Sequence, residues 1–105
     1  MPPVVLRPND VAVLRATLRR FPSVRVARVF GSRATGTARR ASDLDLAIQA
    51  PDATTSEWLE LCDALENAPL IYELDLVREE RALNSRLLEK IEREGVTVYP
   101  QEAAE

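Results

Sequence analysis

The stretch that most constrains this chain is residues 29–48, VFGSRATGTARRASDLDLAI. An apolar run ending at Phe30 meets Gly31 and Ser32, a polar turn follows, and a second apolar run opens with Asp43 and Asp45. Alternate side chains of an extended strand share a face, so Leu44, Leu46 and Ile48 point one way and the two aspartates the other. Two carboxylates then stand on a face that is not the core, with Cα atoms roughly 7 Å apart, close enough to converge on one or two divalent ions. Oxygen ligands of this kind suit Mg²⁺, which keeps several waters and completes its shell with substrate phosphates.

Gly31 and Ser32 are placed to hold such phosphates. They follow a strand and precede a segment able to form a helical turn, so backbone N–H groups and the Ser32 hydroxyl can reach an anion with no side chain at position 31 in the way. Arg33, Arg39 and Arg40 add positive charge around the turn. An Asp-X-Asp alone in an acidic chain reads as a solvated strand entrance. Its coincidence with a glycine-serine turn directly after a strand, and with the arginines, points to a nucleotide site.

Gly31-Ser32, ten residues, then Asp43-Leu44-Asp45 resembles the signature of the DNA polymerase β-like nucleotidyltransferases. Within that superfamily, Gly-Ser-Arg-Ala-Thr-Gly followed by Ser-Asp-Leu-Asp-Leu is most similar to the minimal nucleotidyltransferases, the MntA-like antitoxins paired with HEPN-domain toxins. The resemblance implies that the glycine-serine turn binds the triphosphate of ATP, that Asp43 and Asp45 bind metal, and that a third carboxylate comes from a later strand. It also implies a HEPN toxin as partner, silenced by AMP groups placed on a tyrosine.

A chain of 105 residues makes one domain, 1–105, with no room for a separate acceptor-binding unit. With 46% apolar and 30% charged residues it reads as soluble and globular, no run is long enough to span a bilayer, and the N-terminus lacks the features of a signal peptide. Cytoplasmic residence is the default expectation. The only cysteine, Cys62, excludes an intrachain disulfide and lies on an apolar helical stripe, as expected of a buried, inert thiol. Residues 1–40 carry nine arginines and one acid, whereas 41–105 carry sixteen acids and five cations. That polarity suits a phosphate-plus-metal site, although most of these charges are expected on solvated helix faces.

The spacing of Val11, Leu14, Leu18 and Phe21 predicts a helix over 9–21, capped by Asn9 or Asp10, and residues 24–30 read as the first strand. Trp58, Leu61, Cys62 and Leu65 predict a helix over 55–67. Residues 70–77 alternate as a strand, 79–94 form a helix turned inward through Leu83, Leu87, Leu88 and Ile91 and closed by Gly95, and 96–99 form a last strand at a sheet edge. In the 70–77 strand, Glu73 and Asp75 share a face, and alternation alone does not choose between them. The resemblance favours Asp75, flanked by Leu74 and Leu76, as third metal ligand or base. The expected architecture is α/β, a mixed sheet with helices packed on one face and the acids on the other, as in the polymerase β-like fold.

The function implied is a Mg²⁺-dependent transfer of AMP from ATP to a hydroxyl of the toxin, with Gly31, Ser32 and Arg33 at the nucleotide and Asp43, Asp45 and Asp75 as catalytic and metal-binding acids. The alternatives are an antitoxin that neutralises its partner by stoichiometric binding and, with no acceptor domain to support it, a transferase acting on small molecules. Nucleic-acid binding is disfavoured, because no recognised module or aromatic-basic interleaving accompanies the arginines.

Overall fold

A computed structural model describes residues 6–39 and 42–100. Arg40, considered above, lies outside the described residues. The elements run α1 (Pro8–Leu18), β1 (Val26–Phe30), α2 (Ser32–Thr35), β2 (Leu44–Gln49), α3 (Thr55–Glu66), β3 (Leu74–Arg78), a 3-10 turn (Glu79–Arg81), α4 (Ser85–Glu94) and β4 (Val96–Tyr99). The four strands form one sheet in the order β3-β2-β1-β4. β1 pairs antiparallel with both β2 and β4, and β2 pairs parallel with β3 across the α3 crossover. The sheet is therefore mixed and the class α/β, with β4 at an edge, as the sequence predicts.

Alternation along β2 sets the layers. Leu44, Leu46 and Ile48 are fully buried against Leu14 and Leu18 of α1 and Leu61 and Leu65 of α3. Trp58 packs half-buried at the margin of this core with the Arg78 guanidinium over its ring, and the Cys62 thiol is raised in pKa, first by burial. The opposite face is also covered. Phe30 of β1 and Ala47 of β2 pack against Ile91 of α4, with Val77 and Leu87 alongside. The expectation that all helices lie on one face is therefore corrected: α4 shares the face of the acids. Phe30 and Ala47 on that face would otherwise be apolar surface in water, and the Leu87–Ile91 stripe of α4 removes them from it.

Boundaries differ where side chains compete with periodicity. Helix α4 begins at Ser85 rather than 79, because the Asn84 carboxamide accepts from the N–H groups of Arg86 (3.0 Å) and Leu87 (3.2 Å). Leu83, expected inward, is 97% exposed in the loop ahead of that cap. The preceding acids are occupied elsewhere: Glu80 accepts from Ala50 N–H at 3.0 Å, and Glu79 pairs with Arg28. β3 starts at Leu74, four residues later than alternation suggests, and only the Glu73 carbonyl reaches back to Leu44 N–H. Gly95 does cap α4, with its N–H on the Ile91 carbonyl, but in an extended conformation (φ −61°). Its lack of a side chain matters for space, since a Cβ would run into that carbonyl and crowd Arg28.

Helix α1 opens on Pro8, preorganised for a first helical position, and Asp10 turns back to cap it, accepting from Arg7 N–H (3.3 Å) and from its guanidinium (2.9 and 3.0 Å). Arg7 rather than Asn9 or Asp10 is thus the cap residue. Asp10 is fully buried and also accepts from the Tyr72 hydroxyl at 2.6 Å. The Arg7 guanidinium, with help from Tyr72 and against the cost of burial, holds its pKa down to about 2. A depressed carboxylate contributes stability that is complete above its unfolded value of about 4 and is lost as pH falls through the folded value. Asp10→Asn is therefore expected to lower the melting temperature at neutral pH, by an amount matching about 1–3 kcal/mol, and to flatten the loss of stability between about pH 4 and 2 in thermal melts.

Candidate active site

The site is built where β1 ends beside the start of β2. Gly31 has φ +74° and ψ −156°, a region that disfavours any residue with a side chain, and a Cβ added there would collide with Asp45 Oδ2. Its carbonyl accepts from Ala34 N–H (3.0 Å) and Thr35 N–H (3.1 Å), which starts the single turn α2. Gly36, left-handed at φ +83°, ends that turn by donating to the Ser32 carbonyl. Ser32 is thus held half-buried at the first position after the glycine, beside the backbone that touches Asp45.

Pairing brings the acids together. Phe30 of β1 is opposite Asp45, and Asp45 lies in register with Asp75 on the parallel strand β3. Asp43 is exposed two residues before Asp45, and Asp75 is exposed while Asp45 is half-buried. Burial raises the Asp45 pKa first, the Asp75 charge raises it next, and a hydrogen bond shared with Asp75 and the charge of Asp43 add to the effect, against the opposing field of Lys90. Glu73, the alternative acid, stands just before β3 and is not the register mate of Asp45.

Charge crowding of this kind fits a cation. Among the described residues, no group of three or more aspartates, glutamates, cysteines or histidines is arranged to hold a metal ion, Asp43, Asp45 and Asp75 included. An ion held here would draw remaining ligands from water and phosphate oxygens, which is the habit of Mg²⁺.

Arg33 has a different surrounding from the phosphate-facing one expected of it. It is buried, donates from Nε (3.2 Å) and Nη2 (2.8 Å) to the Ser42 carbonyl and from Nη2 to the Arg39 carbonyl (3.4 Å), and lies 4.2 Å from the centre of the Tyr72 ring. Ser42 bonds locally as expected, its hydroxyl accepting from Arg39 N–H at 2.9 Å.

Two residues of α4 escaped the sequence reading. Glu94 Oε1 accepts from Gly31 N–H at 3.0 Å, and Lys90, one turn earlier, carries the charge that opposes the rise in Asp45. Their spacing from Leu87 and Ile91 was visible, but its meaning depends on α4 covering the acid face. A carboxyl group whose folded pKa is raised destabilises the protein once ionised, so stability falls as pH rises through its titration. Asp45→Asn is accordingly expected to raise the melting temperature at pH 7 by about 1–3 °C, a modest figure because solvent screens a half-exposed group, and to remove any further rise on adding Mg²⁺.

Comparison with known proteins agrees with this geometry. The family model for polymerase beta, nucleotidyltransferase, matches residues 13–104. The fold is similar to a chain of a toxin-antitoxin solved with AMP-PNP, at a TM-score of 0.69 and 26% identity over 89% of this chain and 73% of that one. It is equally similar to a chain of a toxin-antitoxin MntA-HpeT mutant in which two aspartates are replaced by glutamate, with a TM-score of 0.68 and 26% identity over 90% of this chain and 73% of that one. A chain of the tri-AMPylated Shewanella oneidensis HEPN toxin in complex with MNT antitoxin shares the fold, with a TM-score of 0.58 and 23% identity over 87% of this chain and 67% of that one. No curated protein matches significantly. With the family model covering residues 13–104, most of its length, the chain belongs to the polymerase β nucleotidyltransferase family.

Proposed function

We propose that this nucleotidyltransferase is the antitoxin of a HEPN toxin and silences it by transferring AMP from ATP to a hydroxyl, most simply a tyrosine. The observation that carries the reading is the contact of the Gly31 backbone with Asp45, whose register mate is Asp75. It sets the glycine-serine turn directly against Asp45, as a turn holding phosphates beside metal-binding acids would require. The relatives solved as toxin-antitoxin pairs, one with AMP-PNP, support both the donor and the partner.

In this reading Gly31 and Ser32 hold the β- and γ-phosphates, and Asp43, Asp45 and Asp75 hold Mg²⁺. Bound there, Mg²⁺ would neutralise phosphate charge and stabilise the attacking and leaving oxygens. Asp75, the more exposed of the two acids on strands, would in this reading ligate the ion or help accept the proton of the acceptor hydroxyl. The hydroxyl oxygen forms a bond to the α-phosphorus, the α–β anhydride bond breaks, and pyrophosphate departs with the electron pair. Among the described residues no helix is long and apolar enough to cross a membrane, and the reaction is assigned to the cytoplasm, where ATP is available.

Asp43 and Asp45 lie off the α1/α3 core, so Asp43→Ala with Asp45→Ala should abolish transfer, at least 100-fold, and leave the circular dichroism spectrum unchanged. The decisive measurement is the intact mass of the neighbouring HEPN protein after incubation with this chain, Mg²⁺ and ATP. Addition of AMP units by wild type alone supports the transferase. Unchanged mass with full, equimolar inhibition would replace it by a binding antitoxin, and unfolding of the double variant would undo the assignment of the acid face.

A further inference from the structure

The buried Asp10 and Arg33 and the half-buried Tyr72 carry no step of the proposed transfer, yet they form one continuous chain of contacts. The Arg7 guanidinium donates to both oxygens of Asp10, the Tyr72 hydroxyl donates to Oδ2 of the same carboxylate at 2.6 Å, and the Tyr72 ring faces the Arg33 guanidinium at 4.2 Å. Arg33 in turn grips the carbonyls of Ser42 and Arg39, the last of these groups being bonded again by Ser42 N–H at 3.0 Å. Four separate segments are joined: the start of α1, the chain entering β3, the turn α2 and the chain entering β2.

Burial makes this arrangement costly unless every group is satisfied. Asp10 is fully buried and Arg33 only 4% exposed, and an ionised group removed from water needs close, well-aligned partners. A guanidinium presents a rigid planar fork, and here two of its nitrogens converge on one carbonyl, while its face is set by the ring. The atom so fixed is the carbonyl of Ser42, and the next residue is Asp43. Asp43 lies ahead of the first β2 residue, so no ladder pairing of β2 extends to it. Its neighbour Leu44 is fixed by burial and by the Glu73 carbonyl, whereas the preceding peptide is fixed by Arg33.

We infer that Arg33, oriented by Tyr72 and Asp10, is a positioning residue that fixes the peptide before Asp43 and thereby the place of that carboxylate in the cation site. The inference rests on the proposed transfer function for its purpose, but its physical content is local order at Ser42 and Asp43. Tyr72→Phe is the sharpest probe, since it keeps the ring against Arg33 and deletes only the hydroxyl bonded to Asp10. Arg33→Lys keeps the charge and deletes the two-pronged grip.

Amide hydrogen exchange by NMR, with Mn²⁺ binding followed by electron paramagnetic resonance as a Mg²⁺ surrogate, tests the idea on the full chain. Loss of one hydrogen bond to a charged group predicts about tenfold faster exchange at Ser42 and Asp43 in either variant, about fivefold weaker Mn²⁺ binding, and unchanged exchange at Val29 and Leu46. Unchanged exchange at Ser42 and Asp43 in folded Tyr72→Phe would overturn the inference. So would equal acceleration at Val29 and Leu46, or loss of the fold in that variant, since either assigns the network to global stability alone. If Arg33→Lys does not fold, Tyr72→Phe decides. A wild-type protein that shows this local order but transfers no AMP would sink the proposed function and leave the positioning role standing.

Discussion

The backbone of Gly31 runs against the carboxylate of Asp45, and the rest of the site follows from that contact. Only glycine can make it, for two separate reasons: the space that a Cβ would occupy is taken by Asp45 Oδ2, and φ is +74°. Antiparallel pairing of β1 with β2 places Asp45 opposite Phe30, so the end of one strand and the start of the next meet at this point. Parallel pairing then adds Asp75 beside Asp45. The glycine-serine turn and the Asp45–Asp75 pair are thus held together by strand register, the most rigid kind of positioning the fold has.

That arrangement opposes the stability of the free protein. Asp45 is partly desolvated among like charges and has its pKa raised, which is unfavourable for a carboxylate that must be ionised to bind metal. Nearby groups offset part of the strain. Lys90 supplies the opposing charge, and Glu94 takes up the Gly31 N–H just past the β1 residues that pair with β4. Both stand on α4, so the helix that buries Phe30 and Ala47 also supplies the polar surroundings of the turn. The cost that remains is the sort a bound cation would remove, so under the proposed function binding and stability would be linked through these acids.

Much of the fold was legible because burial alternates with simple periods. Leu44, Leu46 and Ile48 identified the core face of β2, and the helical spacing of Leu61 and Leu65 identified that of α3, with Thr54 and Glu57 completing the capping box at its start. The reading went astray where a polar side chain overrode periodicity. The spacing of Leu83 and Leu87 extended a helix backward through Asn84, but that carboxamide satisfies the first amides of α4 and starts the helix after itself. Tyr72 alternates correctly with Leu74 yet lies outside β3, because its hydroxyl is drawn to Asp10, 62 positions away.

The local placement of the candidate residues was already written in the amino-acid sequence: a glycine and serine after a strand, and aspartates alternating with leucines, because strand geometry has a period of two and glycine alone permits the turn. It also determined the α/β class. Tertiary structure alone decided which acid joins Asp45, which face α4 covers and which groups surround Arg33. Register between strands is set by packing across the whole sheet, so Asp75 rather than Glu73 becomes the neighbour only once β2 and β3 are aligned. The charge of Arg33 suggested a phosphate partner, but a guanidinium goes where carbonyls and an aromatic face converge. For Arg33 those groups come from residues 39, 42 and 72, which only folding brings together.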